Sequence, residues 1–263
     1  MVRLMIVGAA GRMGREVIRA AAASADLAVA SAVEHGAHPD LGKDAGAGTG
    51  LPALGVAIGG DLGAGLEACD AVIDFSLPES SARLFEALVS APRPAVVGTT
   101  GLDDRAMKLA AQAAAKAPLI VSPNLSYGVA VLRQLTRSAA SLLGGFDVEV
   151  MEIHHRNKKD APSGTAAALL AALAQGGGRD EGAAVHGRHG RDAKRRPGEI
   201  GVHALRGGSV TGEHTVFFLG DDERIELRHV AESRRVFALG ALHAVRWLVG
   251  KSPGLYTMDD LFR

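Results

Sequence analysis

The densest chemistry in the chain lies in one stretch, Glu152-Ile153-His154-His155-Arg156-Asn157-Lys158-Lys159-Asp160-Ala161-Pro162-Ser163-Gly164-Thr165. A strand-like run ends in two histidines and three cations, and a Pro-Ser-Gly-Thr turn then opens a helix. Imidazole gives up a proton near neutral pH, so His154 and His155 are the candidate acids. Neighbours on a strand face opposite sides, so the two serve one site only if the strand breaks between them. Lys158 and Arg156 bring positive charge. Ser163 is placed to cap the helix, leaving the amides of Gly164 and Thr165, with the Thr165 hydroxyl turned outward. So much positive charge calls for an anion, and a hydride acceptor bearing carboxylates fits. Taken singly, His154 reads equally well as a satisfied structural histidine, and Lys158-Lys159-Asp160 as a solvated loop. No third Cys or His stands at ligand spacing, so no metal is expected. Ser163 has no nucleophile-elbow sequence around it, which argues against a hydrolase.

A second motif lies near the N-terminus. Val7-Gly8-Ala9-Ala10-Gly11-Arg12-Met13-Gly14 spaces its glycines G-x-x-G-x-x-G between a strand and a helix. Glycines let the backbone turn tightly and approach a pyrophosphate, whose charge the amides of the helix N-terminus meet. Glu34, 20 residues past Gly14, ends the second strand, where an acid accepts hydrogen bonds from ribose hydroxyls. His35 follows it. Gly98-Thr99-Thr100-Gly101 and Ser122-Pro123-Asn124-Leu125 close later strands, where small polar residues approach a nicotinamide ribose. Each reads as well as a plain turn. Asp74-Phe75-Ser76 is similarly placed, with the Phe75 ring expected in the core.

These residues need elements to hold them. Leu4–Val7, Leu27–Val33, Ala71–Phe75, Ala95–Gly98 and Leu119–Val121 are continuous apolar runs, the signature of buried parallel strands. Met13–Ala23, Ser80–Ser90 and Asp103–Ala117 read as helices between them, which predicts an α/β, doubly wound, Rossmann-like sheet. Gly36–Gly65 is assigned to loops with at most a short strand. After Asn124 the rhythm changes to a long helix, Tyr127–Leu143, an alternating strand, Val148–His154, and a helix from Ser163 to Gln175. Gly176–Gly198 reads as a solvated surface loop. Gly201–Arg206, Thr215–Leu219 and Arg224–His229 then supply an open mixed sheet of a second, α+β domain. The last helix, Val236–Val249, offers Phe237, Leu239, Leu242, Val245, Leu248 and Val249 as an apolar face. The expected division is 1–123, with 236–263 packing back on it, as the dinucleotide-binding domain, and 124–235 as the substrate-binding and oligomerisation domain.

Composition narrows the partners. Lys and Arg total 29 and Asp and Glu total 29, so no global field recruits nucleic acid or an anionic membrane. The 263 residues, 47% hydrophobic, suffice for two cores. Cys69 stands alone and forms no internal disulfide, which fits a reducing compartment. It reads as a small buried apolar residue. The run Leu4–Val7 is too short for a signal-peptide core, and no stretch is apolar enough to span a bilayer, so the cytoplasm is expected.

Across these motifs, together with Gly212-Glu213-His214-Thr215 and the final helix, nearly the whole chain resembles the dihydrodipicolinate reductase family. The segment from His154-His155-Arg156 to Pro162-Ser163-Gly164-Thr165 carries the resemblance most specifically. It implies NADH- or NADPH-dependent reduction of a cyclic unsaturated dicarboxylate in lysine and diaminopimelate synthesis, without a metal. By position it makes His154 the proton donor and Lys158 the second catalytic residue, with His155, Gly164 and Thr165 holding the substrate. Gly8, Ala9, Ala10, Gly11, Arg12, Met13, Glu34, His35, Gly98, Thr99, Thr100, Ser122, Pro123, Asn124 and Leu125 become the cofactor contacts. The resemblance also implies a homotetramer assembled through the second domain's sheet. Two positions depart from the family pattern. Asn157 stands where some relatives carry another histidine, and His35 where many carry arginine, which leaves the cofactor preference open. The alternatives are another two-domain nicotinamide dehydrogenase, which Cys69 suits poorly as a nucleophile, and a dinucleotide-sensing protein without turnover.

Overall fold

The computed structural model describes residues 1–178 and 180–263, and of Glu181 the backbone alone. In chain order it begins β1 (Val2–Val7), α1 (Arg12–Ala22), β2 (Leu27–Val33), β3 (Ile58–Gly59), α2 (Leu62–Ala68), β4 (Ala71–Asp74) and α3 (Pro78–Ser90). There follow β5 (Ala95–Val97), α4 (Asp104–Ala114), β6 (Pro118–Val121), α5 (Tyr127–Leu142), β7 (Asp147–His154) and α6 (Gly164–Gly177). The rest is β8 (Ala184–His186), β9 (Ile200–Arg206), β10 (Glu213–Leu219), β11 (Arg224–Val230), α7 (Arg235–Leu248) and β12 (Gly254–Tyr256). Two compact units result, Met1–Tyr127 with Arg234–Arg263, and Gly128–Ser233.

The first unit holds a sheet ordered β3-β2-β1-β4-β5-β6-β12, with every neighbouring pair parallel. This is the doubly wound order of dinucleotide-binding sheets, extended by one strand. Helices cover its faces, so β4 and β5 are buried at every residue, as their unbroken apolar runs require. Leu84, Phe85 and Leu88 of α3 pack with Val72 and Val97 in that core. The chain order reverses between β1 and β4, which puts the ligand crevice beyond Val7 and Asp74.

Helix α7 lies in this unit and packs on α1 and the sheet. It does so with small residues. Ala238, Gly240, Ala241 and Ala244 are buried beside Leu242, Val245 and Leu248, whereas Leu239 and Val249, expected on the apolar face, are exposed. Close approach explains the turn of the helix, since a Cβ on Gly240 would fall 1.8 Å from the Leu125 carbonyl oxygen. Arg246 adds two 2.7 Å hydrogen bonds to the Asp26 carboxylate.

The second unit holds a mixed sheet, β11-β10-β7-β9-β8, in which β10 runs antiparallel to β11 and β7, and β9 parallel to β7 and β8. Val148 and Val150 of β7 pack with Leu169 and Leu173 of α6 and with Val216 and Phe218 of β10. The two sheet types, one parallel and one open and mixed, are therefore as the sequence predicts, while their edge strands β8 and β12 are additions.

Three local expectations fail. Gly36–Gly65 contains β3 but also the start of α2, which Asp61 caps through the Gly63 and Ala64 amides. Two glycines in that helix weaken its signal. Within the same segment Asp44 accepts from the amides of Gly46, Leu54, Gly55 and Val56, so one carboxylate fastens the loop. Gly176–Gly198, read as a solvated connection, carries a 3-10 turn, Glu181–Ala183, and then β8; its residue 179 lies outside the described residues. Arg188 and Arg195 of this segment bind Glu149 on β7, with Arg188 Nη2 at 2.8 Å. Strand β12 was not anticipated, because three residues beside Pro253 give little pattern.

Among the described residues no helix is long and apolar enough to cross a membrane.

Candidate active site

The glycine turn after β1 is shaped by close contacts. Gly8 has φ +75°, and a Cβ there would sit 2.6 Å from the Phe75 carbonyl oxygen at the end of β4. A Cβ on Gly14 would fall 2.1 Å from the Gly8 carbonyl oxygen, so α1 starts against the turn only because both lack side chains. The Gly8 and Ala9 amides are used by the Val33 carbonyl and the Gly11 amide by that of Gly8. Among the described residues helix α1 has no side-chain cap, and its first turn carries no acidic residue. By contrast α2, α4 and α6 are capped by Asp61, Asp103 and Ser163. The first-turn amides, from Arg12 and Met13 onward, are left for an anion, and a dinucleotide pyrophosphate fits them.

Glu34 follows β2, its carboxylate accepting from the Ala10 amide at 3.2 Å and the His35 amide at 3.1 Å. The Ala10 amide is thus engaged by the acid. A cavity of about 190 Å³ adjoins the turn, lined by Ala9, Ala10, Arg15, Asp40 and Lys43 among others. Both of its cations bind one carboxylate, Asp40, Arg15 at 3.1 Å and Lys43 at 2.6 Å. His35 and Arg12 are exposed.

The later strand ends are divided between inside and outside. Thr99 is buried, its hydroxyl 2.8 Å from Ser81 Oγ, which donates in turn to Asp74. Burial pushes the Asp74 carboxyl above its ordinary range, against the hydrogen bonds of Ser76 and Ser81. Gly98 leaves room for the Phe75 ring and Leu125, and Phe75, expected in the core, is only half-buried. Ser122 Oγ donates to the Asn124 carbonyl at 2.8 Å. Leu125 is buried, while Thr100 and Pro123 are exposed and Asn124 half-exposed. The turn, Glu34, Thr100 and Asn124 therefore offer surface, whereas Thr99 and Leu125 shape it from behind.

In the second unit the core-facing row of β7 runs Val148, Val150, Glu152, His154. Two apolar residues are followed by a fully buried carboxylate and a buried imidazole. Glu152 Oε2 lies 2.5 Å from His154 Nδ1. Arg206, at the end of β9 and in register with His154, donates to both Glu152 oxygens at 2.8 Å. The Ser163 amide donates to Oε1 at 3.0 Å. Ser163 Oγ caps α6 by accepting from Ala166 and lies 3.1 Å from Nε2 of His214 on β10. The rings of His154 and His214 meet edge to face, 5.1 Å between centroids.

Charge follows from this packing. Burial alone pushes the Glu152 carboxyl up, but hydrogen bonds from Arg206 and His154 outweigh it and hold the group below its ordinary value. Burial lowers His154, and Glu152 restores only part of that. His214 is pushed down to about 3, by burial first and then by His154. Lys158 binds the exposed Asp160 at 2.9 Å. Strand β7 ends at His154, so His155 begins the loop, half-buried. Gly164 is exposed at the first position of α6, where its amide has no intrahelical acceptor. Thr165, expected to turn outward, is buried in the first turn.

Sequence reasoning missed the roles of Glu152, Arg206 and His214. The period of a strand places Glu152 on the face of His154 and gives the one usable signal. Arg206 and His214 arrive by sheet register alone. Among the described residues no group of three or more His, Cys, Asp and Glu could hold a metal ion.

A glycine turn at the switch point of a parallel sheet, an uncapped helix and a terminal acid in the first unit, and a buried acid–base pair in the second, define the class, a nicotinamide-dependent oxidoreductase. Comparisons with known proteins are more specific. The family model for dihydrodipicolinate reductase, N-terminus, matches residues 2–125, and that for dihydrodipicolinate reductase, C-terminus, matches 128–262. The chain belongs to the dihydrodipicolinate reductase family. It is 48% identical to 4-hydroxy-tetrahydrodipicolinate reductase of Anaeromyxobacter dehalogenans strain 2CP-1, over 99% of this chain and 97% of that one. Identity to the enzyme of the same name from Geobacter sulfurreducens is 43%, over 99% and 98%. The fold matches that of a dipicolinate-bound dihydrodipicolinate reductase from Paenisporosarcina sp. TG-14, with a TM-score of 0.78 at 22% identity, over 98% of this chain and 97% of that one.

Proposed function

We propose that the chain reduces dihydrodipicolinate, formed from 4-hydroxy-tetrahydrodipicolinate, to tetrahydrodipicolinate in lysine and diaminopimelate synthesis, with His154 delivering the proton. The observation that carries this reading is the buried Glu152–His154 pair beside the N-terminus of α6. Reduced nicotinamide, when bound, supplies a hydride, and the amides of Arg12 and Met13 and the Glu34 carboxylate hold the dinucleotide. Gly8, Ala9, Ala10, Gly11, Gly98, Thr99, Ser122 and Leu125 shape that site, and Thr100, Pro123 and Asn124 line it.

The chain's own part in the second unit is to bind, to orient and to move one proton. The relative from Paenisporosarcina holds dipicolinate, and a small dicarboxylate suits the cations and amides here. The Gly164 amide at the positive end of α6 receives one carboxylate, with Thr165 supporting that turn and His155 flanking it. Lys158 places positive charge where the reacting ring gathers negative charge. His154, in its protonated form, gives the proton that balances the hydride.

A single buried thiol, Cys69, supports a reducing compartment, the cytoplasm. Copies of the chain associate as a tetramer through the second unit's sheet, whose face opposite the core carries Met151, Ile153 and the exposed Leu205. The test of the function is NADH consumption by purified protein with and without freshly generated substrate. Substrate-independent oxidation, or none at all, overturns the proposal.

A further inference from the structure

The carboxylate of Glu152 meets four hydrogen-bond donors, and all belong to the candidate site: Nδ1 of His154, two nitrogens of Arg206 and the amide of Ser163. It is wholly shut off from solvent. Burial of an ion pair is costly, and an apolar residue continuing the Val148, Val150 row would serve the core at lower cost. The carboxylate is therefore better explained by what it does to its neighbours.

With arginine on both oxygens the group is ionised, and an ionised carboxylate only accepts. The nitrogen of His154 that faces it must carry hydrogen. Which ring nitrogen of a histidine is protonated is set by the bond the other one makes. The remaining nitrogen, Nε2, points toward Gly212, where a Cβ would come within 3.1 Å of it. A side chain at Gly212 would crowd that nitrogen.

We infer that Glu152 is a positioning residue for proton transfer: it fixes hydrogen on Nδ1 of His154, so that Nε2 alone takes up and gives out the proton that reaches the substrate. The inference rests on the reading of His154 as donor. Other groups facing the imidazole do not share this role. Arg206 from β9 and Lys158 from the loop after β7 both oppose its protonation, and His214 from β10 stays neutral. Glu152 is the one of these four that favours the charged ring.

The first test needs no variant. In protein carrying 15N-labelled histidine, heteronuclear NMR above the His154 pKa is expected to show hydrogen on Nδ1 and a bare Nε2. Hydrogen on Nε2 instead overturns the inference. In Glu152→Gln the amide keeps an oxygen for Arg206 and Ser163 but turns its NH2 toward Nδ1, forcing the opposite tautomer. Turnover is expected to fall about 10²-fold or more, the scale of a positioned general acid, with KM changed less. The falling limb of kcat/KM with rising pH moves to lower pH. Glu152→Asp, which keeps the charge, restores the Nδ1–H form and part of the pH profile. An unchanged profile and kcat in Glu152→Gln sinks the inference. The two readings fail separately. Wild-type turnover in His154→Ala removes the donor itself, whereas a dead His154→Ala beside a neutral Nε2–H ring removes only the role of Glu152.

Discussion

The hydroxyl of Ser163 lies 3.1 Å from Nε2 of His214, a buried imidazole whose Nδ1 has no partner among the described residues. The serine caps the helix that would receive the substrate, so this contact ties the cap to the sheet. It also loads the fold with a histidine that takes no proton until far into acid. The unfolded chain binds that proton near pH 6.5, and the folded chain only near 3. Stability from His214 is thus complete above pH 6.5 and is lost progressively as the pH falls toward 3.

From pH 7.5 to pH 5 the loss attributable to His214 should be about 2 kcal/mol. Urea unfolding at the two pH values, in wild type and in His214→Gln, isolates it. The variant should lose that much less on acidification. An equal loss in both proteins removes His214 from the acid response.

Removing the donor should damage turnover more than binding. His154→Ala is expected to lower kcat by about 10²–10⁴, the range for a positioned general acid. Lys158→Met should harm both kcat and KM, since in the proposed mechanism its charge would serve binding and the developing charge alike. Steady-state kinetics decide it, and wild-type turnover in His154→Ala rejects the assignment.

For the cofactor, the expected outcome is that NADH is preferred or at least equal. In the proposed cofactor pose Glu34 would repel a phosphate on the ribose, and the cations of the adjoining cavity, Arg15 and Lys43, are already bound to Asp40. His35 is exposed beside the acid. His35→Arg should shift preference toward NADPH by roughly 1–2 kcal/mol, the scale of a charge-assisted hydrogen bond. Dissociation constants for both dinucleotides, measured by calorimetry, provide the check. A strong NADPH preference in wild type contradicts the account.

Helix α7 has no room for one methyl group. In Gly240→Ala the new Cβ meets backbone at 1.8 Å, which no rotamer relieves. Overpacking of this kind costs about 1–3 kcal/mol or more, read as a drop in urea midpoint. Gly145→Ala, with nothing within 4 Å, is the control and should move stability by no more than about 0.5 kcal/mol.

The parallel sheet was legible because burial on both faces leaves strands as unbroken apolar runs, and Gly8, Gly14 and Glu34 sit at its ends by spacing. Helix α2 and strand β12 were not, since each is short and held by neighbours rather than by its own pattern. In the second unit His154 and Ser163 could be picked out by residue type. Arg206 and His214 reach Glu152 only across strand register, which no local spacing encodes. Leu239 and Val249 misled for a related reason, as close packing turned the helix so that Ala238, Gly240, Ala241 and Ala244 are buried beside Leu242, Val245 and Leu248 while those two face out.

The first unit is interrupted in sequence, leaving at Tyr127 and resuming at Arg234. Its last strand, β12, lies beside β6, with Gly254 opposite Pro118. On the ribosome, therefore, the N-terminal sheet emerges first and is finished last. Its surface under α7 stays uncovered while the whole of the inserted unit is made, and a contact spanning so much chain closes slowly. The inserted unit is continuous and is complete as soon as Ser233 has emerged. Without the returning segment Arg234–Arg263 the apolar surface it covers would be exposed, leaving Met1–Tyr127 as the aggregation-prone part.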